Sequence, residues 1–279
     1  MSFIVFGSVA YFVSKKFLSP DLDLYISVNK YHFQKPIGPE PRIYFCFDLF
    51  KNQIRLNKNC DLNKVEPNHC GIQNEGPKGW DSLFLKSDPK LLADKTKTML
   101  LSHKCKTVVL DFEGISNNVD FNRYWKWKTI YTQSLKKYFP VSLAAYPKTE
   151  RTSLNPAAYF HDYSKICNLY DEIWLMTYDY HIPPYTPPGD IAPLNWVKQV
   201  VNYALIHCDQ KQIRIGLATY GYDWDTGKTV LETQSFKKKS INIHVETAEK
   251  RKEKILYFHK KNGIHKFFIW AEGMFTLSH

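Results

Sequence analysis

No Cys-x-x-Cys pair, zinc-finger spacing, Walker loop or N-x-Ser/Thr sequon occurs in the 279 residues. Each absence removes a class, because redox dithiols, zinc modules, phosphate-cradling loops and N-glycan acceptors all depend on those spacings. The ten histidines are scattered without paired ligand spacing, so no metal site is expected. No glycine-rich turn follows the early strands, which weakens a nucleotide-binding reading and leaves no cofactor expected. Long hydrophobic runs are missing too. The apolar stretch at residues 2–13 (SFIVFGSVAYFV) falls short of the ~20 residues a membrane helix needs, so no membrane insertion is expected. It also lacks the basic leader and cleavage site of a signal peptide. It reads as a buried strand, with an uncleaved targeting remnant as the alternative, and localisation stays open between them.

What the chain does have is positive charge and apolar bulk. Lys and Arg number 38 against 27 Asp and Glu, a formal charge of +11, with no basic run longer than residues 237–239. Such a surplus favours an anionic partner: nucleic acid, an acidic glycan, peptidoglycan or a membrane face. No basic stripe interleaved with aromatics raises nucleic acid above the others. With 44% hydrophobic and 15% aromatic residues, the chain can bury a full core, and it reads as one domain over residues 1–279. Of the six cysteines, Cys46, Cys105 and Cys167 sit in or beside apolar segments, which reads as buried reduced thiols. Cys60 and Cys70 flank a polar loop and could pair in an oxidising compartment.

Apolar runs and helical periodicity alternate along the chain. Short strands are expected at residues 23–29 and 42–56, the latter with a turn at Lys51 and Asn52. Residues 57–78 read as polar loop. A helical pattern follows from Trp80, with a start at Asp88-Pro89 that puts Leu92, Thr96 and Leu100 on one face. Further strands are expected near residues 107, 141, 173, 213 and 266, separated by helices over 120–138, 155–166, 194–208 and 246–261, with Gly263 ending the last. Strand and helix at this spacing imply a parallel sheet with helices outside it. A closed (β/α)8 TIM barrel and an open doubly wound sheet both fit.

The stretch that carries chemistry is residues 107–114, TVVLDFEG. Four apolar or β-branched residues run into Asp111, Phe112 and Glu113, a buried strand ending in two carboxylates. Residues two apart on a strand share a face, so Asp111 and Glu113 project together and Phe112 opposes them. Mutual repulsion and desolvation would hold one carboxyl protonated near neutral pH, as a general acid requires. The competing reading is a strand-end pair that meets a lysine or a helix N-terminus.

The later strand ends decide between these. In order, VVLDFEG, LMTYDYH, the loop PPGDIAPLNWV, GLATYGYDW and FFIWAEG resemble glycoside hydrolase family 18, the chitinase-like enzymes, and most nearly its bacterial peptidoglycan-directed and spore-germination branch. The resemblance covers roughly residues 79–274 and implies a TIM barrel with irregular first strands and a truncated last helix. It also implies a retaining, substrate-assisted hydrolysis of β-linked N-acetylglucosamine polymers, in which the sugar's own acetamido group is the nucleophile. Glu113 would be the acid and then the base, Asp111 would stabilise the charged oxazolinium nitrogen, and Tyr178 would donate to the acetamido oxygen. Asp179 would complete the carboxylate cluster. Trp270 would form the sugar-stacking floor, and Tyr222, Trp224 and Tyr146 would line the cleft. Without that context Tyr178 and Trp270 could be barrel fillers and Asp179 a loop cap. The chain departs from the pattern at Val109 and Lys106, where the full motif has further aspartates, and between Trp224 and Glu246, where it is short. Those departures make a weakly active or purely glycan-binding barrel the alternative.

Overall fold

The computed structural model describes residues 21–29, 40–65, 69–74, 86–115, 119–150, 156–232 and 240–272. In chain order the strands are β1 (Asp23–Asn29), β2 (Arg42–Phe50), β3 (Gln53–Leu56), β4 (His69–Asn74), β5 (Thr107–Asp111), β6 (Val141–Ala145), β7 (Ile173–Leu175), β8 (Ile213–Ala218), β9 (Tyr220–Asp223), β10 (Lys228–Leu231), β11 (Ile243–Val245) and β12 (Lys266–Glu272). The helices are α1 (Pro89–Ser102), α2 (Phe121–Lys136), the single turn α3 (Pro156–Tyr159), α4 (Tyr163–Leu169), α5 (Leu194–His207) and α6 (Ala248–Asn262).

Eight parallel strands close on themselves. β1 pairs with β12, and the ladder then runs through β8, β7, β6, β5, β4 and β2 back to β1. That last pairing excludes the open doubly wound sheet: a closed parallel ring with helices between its strands is a TIM barrel, and its strand ends converge on one rim. At the opposite end, buried Arg214 of β8 bonds Glu172, Asp23 and the Phe267 carbonyl, joining four adjacent strands. Its guanidinium lies 4.4 Å from the Tyr25 ring centroid. Burial works against the Glu172 carboxylate, but Arg214 and Lys266 together hold its pKa below the usual value. Removing one member of such a buried group costs about 3–5 kcal/mol, because the remaining charges lose their counterions.

Local chemistry explains most element ends. Asp88 accepts from the Lys90 and Leu91 amides ahead of Pro89, and Leu92, Thr96 and Leu100 form the buried face of α1. Gly263 ends α6 at φ 61°. The stretch expected as one helix over 155–166 is two, because Asp162 accepts from the Ser164 amide and starts α4 anew. After β8, the strands β9, β10 and β11 form a small antiparallel sheet on the rim that is not among the strands expected from the sequence. Gly221 is required there: a Cβ would strike the His244 carbonyl and the Val245 backbone of β11.

Three expectations are corrected. The cysteines are paired as Cys46–Cys60, Cys70–Cys105 and Cys167–Cys208, not reduced, and Cys60 does not meet Cys70. Cys46–Cys60 joins β2 to the chain leaving its hairpin partner β3, Cys70–Cys105 joins β4 to the approach to β5, and Cys167–Cys208 joins α4 to the end of α5, over 14, 35 and 41 positions of sequence. The loop expected over 57–78 contains β4, a regular barrel strand. The first strands carry the expected irregularity, with register shifts between Ile26 and Val28 on β1 and between Phe45 and Phe47 on β2, and the connection from β2 to β4 also departs from the repeat, with a hairpin and a 3-10 turn at Leu62–Lys64. Residues 2–13, Trp80 and the segment after Glu272 lie outside the described residues. Among the described residues no helix is long and apolar enough to cross a membrane.

Candidate active site

The site is built from consecutive strand ends on one rim. β5 leaves Asp111 buried and directs Phe112 into the core, where it is fully buried, so Glu113 emerges on the side of Asp111. The neighbouring strand fixes both. Gln73 Nε2 donates to Asp111 Oδ2 at 2.8 Å. Asn74 clamps the Glu113 backbone with a reciprocal pair, Nδ2 to the Glu113 carbonyl at 2.8 Å and the Glu113 amide to Oδ1 at 3.1 Å.

Beyond β7 the chain places Tyr178 and Asp179. Asp179 has φ 60°, a left-handed conformation that aspartate tolerates better than most residues. Its carboxylate is held from the rim sheet: the Tyr220 hydroxyl lies 2.8 and 2.9 Å from its two oxygens, and the Tyr222 hydroxyl donates to Oδ1 at 2.9 Å. The Tyr178 ring packs edge-on against Phe268 and Tyr220. Glu113, Tyr146, Tyr178 and Asp179 share one cleft of about 260 Å³ with Pro147, Met176, Tyr180 and Trp196.

Tyr146 is positioned by its backbone. Its carbonyl accepts from the Tyr163 hydroxyl at 2.7 Å and its amide donates to His161 Nδ1 at 3.2 Å. His161 is buried and also bonds the Phe112 backbone, so it bridges β6 to the middle of the Asp111–Glu113 segment. Burial first, then Lys128 and Lys148, keep this imidazole neutral, which lets Nδ1 accept while Nε2 carries the proton.

The electrostatics follow from three carboxylates in one cluster. Glu113 is pushed up from 4.5 to about 8, by the Asp111 charge first, then by burial and Asp179. The residue opens to the cleft, which accords with a neighbouring charge outweighing desolvation. Burial raises the Asp179 pKa, with Tyr220 and Tyr222 opposing it. Tyr178 is raised by burial and by all three carboxylates, so its hydroxyl remains a donor throughout the neutral range. A protonated carboxyl beside an ionised one, with a phenol donor across the cleft, can protonate a leaving oxygen and stabilise a developing cation.

The sequence matches glycosyl hydrolases family 18 over residues 75–277. The chain belongs to that family. A glycosylase, YvbX, of Bacillus subtilis is 26% identical over 200 residues, covering 69% of this chain and 57% of its own length. The cortical fragment-lytic enzyme of Bacillus anthracis is 28% identical over 119 residues, 43% of this chain and 27% of its own. The chain thus spans little more than half of one relative and about a quarter of the other. Among solved structures, a Chromobacterium violaceum chitinase superposes with a TM-score of 0.76 at 15% identity, covering 91% of this chain and 95% of the other. The Bacillus cereus spore cortex-lytic enzyme SleL gives 0.69 at 16%, over 90% and 71%. At those identities the structures report the shared barrel.

Within this family 18 barrel the expected residues divide into groups. Glu113, Tyr146, Tyr178 and Asp179 meet in the cleft, with Asp111 beside Glu113. Tyr222 buttresses Asp179 through its hydroxyl. Trp224 donates to the Thr186 carbonyl at 3.4 Å on the proline-rich loop. Half-buried Trp270 sets its ring 5.2 Å from Phe45, edge to face. These last three are not among the cleft's described walls. Sequence reasoning missed Gln73, Asn74, His161, Tyr220 and Trp196. Gln73 and Asn74 lie in the stretch expected as polar loop, and their place beside Asp111 and Glu113 follows only once β4 and its register with β5 are known.

Proposed function

We propose that this protein is a retaining glycosidase that cleaves β-linked N-acetylglucosamine-containing glycans, chitin-like or peptidoglycan, by substrate-assisted catalysis. The observation that carries the reading is Glu113, raised to about 8 by Asp111 beside it in a cleft that Tyr178 also lines. Protonated at neutral pH, Glu113 donates its proton to the glycosidic oxygen as the acetamido oxygen of the preceding sugar attacks the anomeric carbon. Asp111, ionised, stabilises the positive nitrogen of the oxazolinium ring, and the Tyr178 hydroxyl donates to the acetamido oxygen. Glu113, now a base, takes a proton from water as the ring reopens. Trp270 serves as the stacking floor and Tyr146, Tyr222 and Trp224 as flanking contacts. No step calls for a metal or cofactor.

The surplus charge of +11 suits an anionic glycan such as peptidoglycan, and the similarity to cortex-lytic proteins supports the same class. Three disulfides fit an oxidising compartment. Val109 favours a second reading, a barrel that binds glycans without cleaving them, because the full motif has a carboxylate at that position. Glu113→Gln assayed on chitooligosaccharides and on peptidoglycan separates the readings. Loss of about 10²–10⁴-fold in turnover is expected for removal of the general acid. Wild-type turnover that survives the substitution refutes the assignment, and glycan binding with no bond cleavage by fresh wild-type protein selects the second reading.

A further inference from the structure

Two residues before Asp111, on the same face of β5, stands Val109, which is 1% exposed and has no group to bond a carboxylate. The adjacent strand supplies one. Gln73 is the register partner of Asp111 across the parallel β4–β5 pair, and its amide nitrogen lies 2.8 Å from Asp111 Oδ2. The side chain is held on a fixed frame. Cys70–Cys105 ties the start of β4 to the residues leading into β5, and Asn74 ties the end of β4 to the Glu113 backbone.

An amide and a carboxylate act differently in that place. A carboxylate beside Asp111 would share a proton with it, as close pairs do. An amide N–H takes up no proton and favours the ionised form of its acceptor. We propose that Gln73 is a positioning residue of the catalytic cluster: donating from β4, it keeps Asp111 ionised and aligned beside Glu113, so that the single shared proton resides on Glu113. This inference rests on the reading of Glu113 as the general acid.

Among the described residues, the titratable groups facing the pair are Asp179 and Tyr178 beyond β7 and Tyr146 beyond β6, and no lysine or arginine is among the influences on Glu113. Beside these acids a neutral donor to one carboxyl favours that carboxyl losing its proton first. Without it the first ionisation moves up and part of the proton population shifts to Asp111, where it cannot serve the leaving group. The second ionisation keeps its place, because Gln73 stabilises the Asp111 anion equally before and after Glu113 deprotonates.

The test uses the full chain with Gln73→Met, which keeps size and removes the donor, and Gln73→Glu, which keeps size and adds an acid. kcat/KM on a chitooligosaccharide or a peptidoglycan fragment is followed from pH 4 to 9. For Gln73→Met the acid limb moves up by about one pH unit, the plateau falls about tenfold and the basic limb stays. Gln73→Glu moves the acid limb at least as far and also lifts the basic limb, since its charge adds to that of Asp111. A lower plateau with an unmoved acid limb overturns the proposal, because a merely structural role predicts that. Carbon-13 carboxyl titration of the wild-type protein provides a readout independent of turnover: Asp111 is expected to ionise before Glu113, and the reverse order overturns the proposal even if both variants fail to fold. A chain with no glycosidase activity in which Asp111 still ionises first, and later in Gln73→Met, refutes the enzymatic reading while leaving the role of Gln73 intact.

Discussion

Replacing Asp111 with Asn removes the largest influence on the Glu113 proton while nearly preserving shape. In the wild type Glu113 rises from 4.5 to about 8, with Asp111 first of three causes. At least a third of that rise therefore belongs to Asp111, so the variant loses about one pH unit or more. At pH 7.5 a carboxyl with a pKa near 8 is about three-quarters protonated, and one near 7 about a quarter, so kcat/KM falls at least ~3-fold from protonation alone. Loss of the anion beside the reacting nitrogen lowers it further. The assay is kcat/KM from pH 4 to 9, in which the basic limb should move down by about one unit or more. Stability gives an independent check. A carboxyl raised in the fold contributes stability that is fully present below its unfolded value of 4.5 and is lost as pH rises through about 8. Wild type should lose more stability than Asp111→Asn between pH 5 and 8.5 in urea melts, by about 1 kcal/mol once screening in the open cleft is allowed for. A basic limb that stays in place while the plateau drops would falsify the argument, because the Asp111 charge would then not act on Glu113.

Two further substitutions probe the neighbouring charges. Tyr220→Phe should cost about 2 kcal/mol and Tyr222→Phe about 1 kcal/mol at pH 7, since the first hydroxyl reaches both Asp179 oxygens and the second reaches one. Both deficits should shrink in acid as Asp179 protonates, and a pH-independent deficit in urea unfolding refutes the link to its charge. Lys128, buried with its amine 2.8 Å from the Tyr124 hydroxyl, is lowered from 10.5 to about 7 by burial. The unfolded chain therefore binds the extra proton between those values, and native stability rises with pH across that window. Lys128→Met should be more stable at pH 7 by about 2 kcal/mol after the lost aromatic and hydroxyl contacts are counted, with the gain falling to zero near about pH 9 and turning into a deficit above it; a gain that does not change with pH sinks the explanation.

The alternating strands and helices and the acidic pair were legible because both are written in periods; closure of the sheet was not, since an open sheet fits the same periods, and it was implied by the family resemblance. TVVLD shows a buried strand as an unbroken apolar run, and the alternation that follows puts Asp111 and Glu113 on one side. Tyr178 and Asp179 were legible for the same reason, as the polar exit of IWL. Strand β4 was not. HCGIQN contains a disulfide-bonded cysteine and a glycine against which the Phe45 ring packs, and neither gives a hydrophobic signal in a short window. Its burial is tertiary, set by β2 on one side and β5 on the other.

The misread cysteines and the missed Gln73 have a common cause. Cys70 and Cys105, like Gln73 and Asp111, become neighbours through the β4–β5 register, which is long-range information until β4 itself is recognised. Once β4 is in place, its register with β5 sets Gln73 level with Asp111, and the buried valine two residues before that aspartate loses its force as evidence against turnover. A carboxylate at position 109 would steady Asp111 from below by sharing a proton; the amide of Gln73 steadies it from the side without competing for one. The consequence is a difference in pH behaviour. A barrel with a carboxylate at position 109 has that acid titrating besides Asp111 and Asp179, whereas in this chain Glu113 is acted on by the latter two, and Gln73 bonds Asp111. Gln73→Met should therefore move one ionisation of the acid limb and leave the other in place, and a variant in which both move together removes Gln73 from its role.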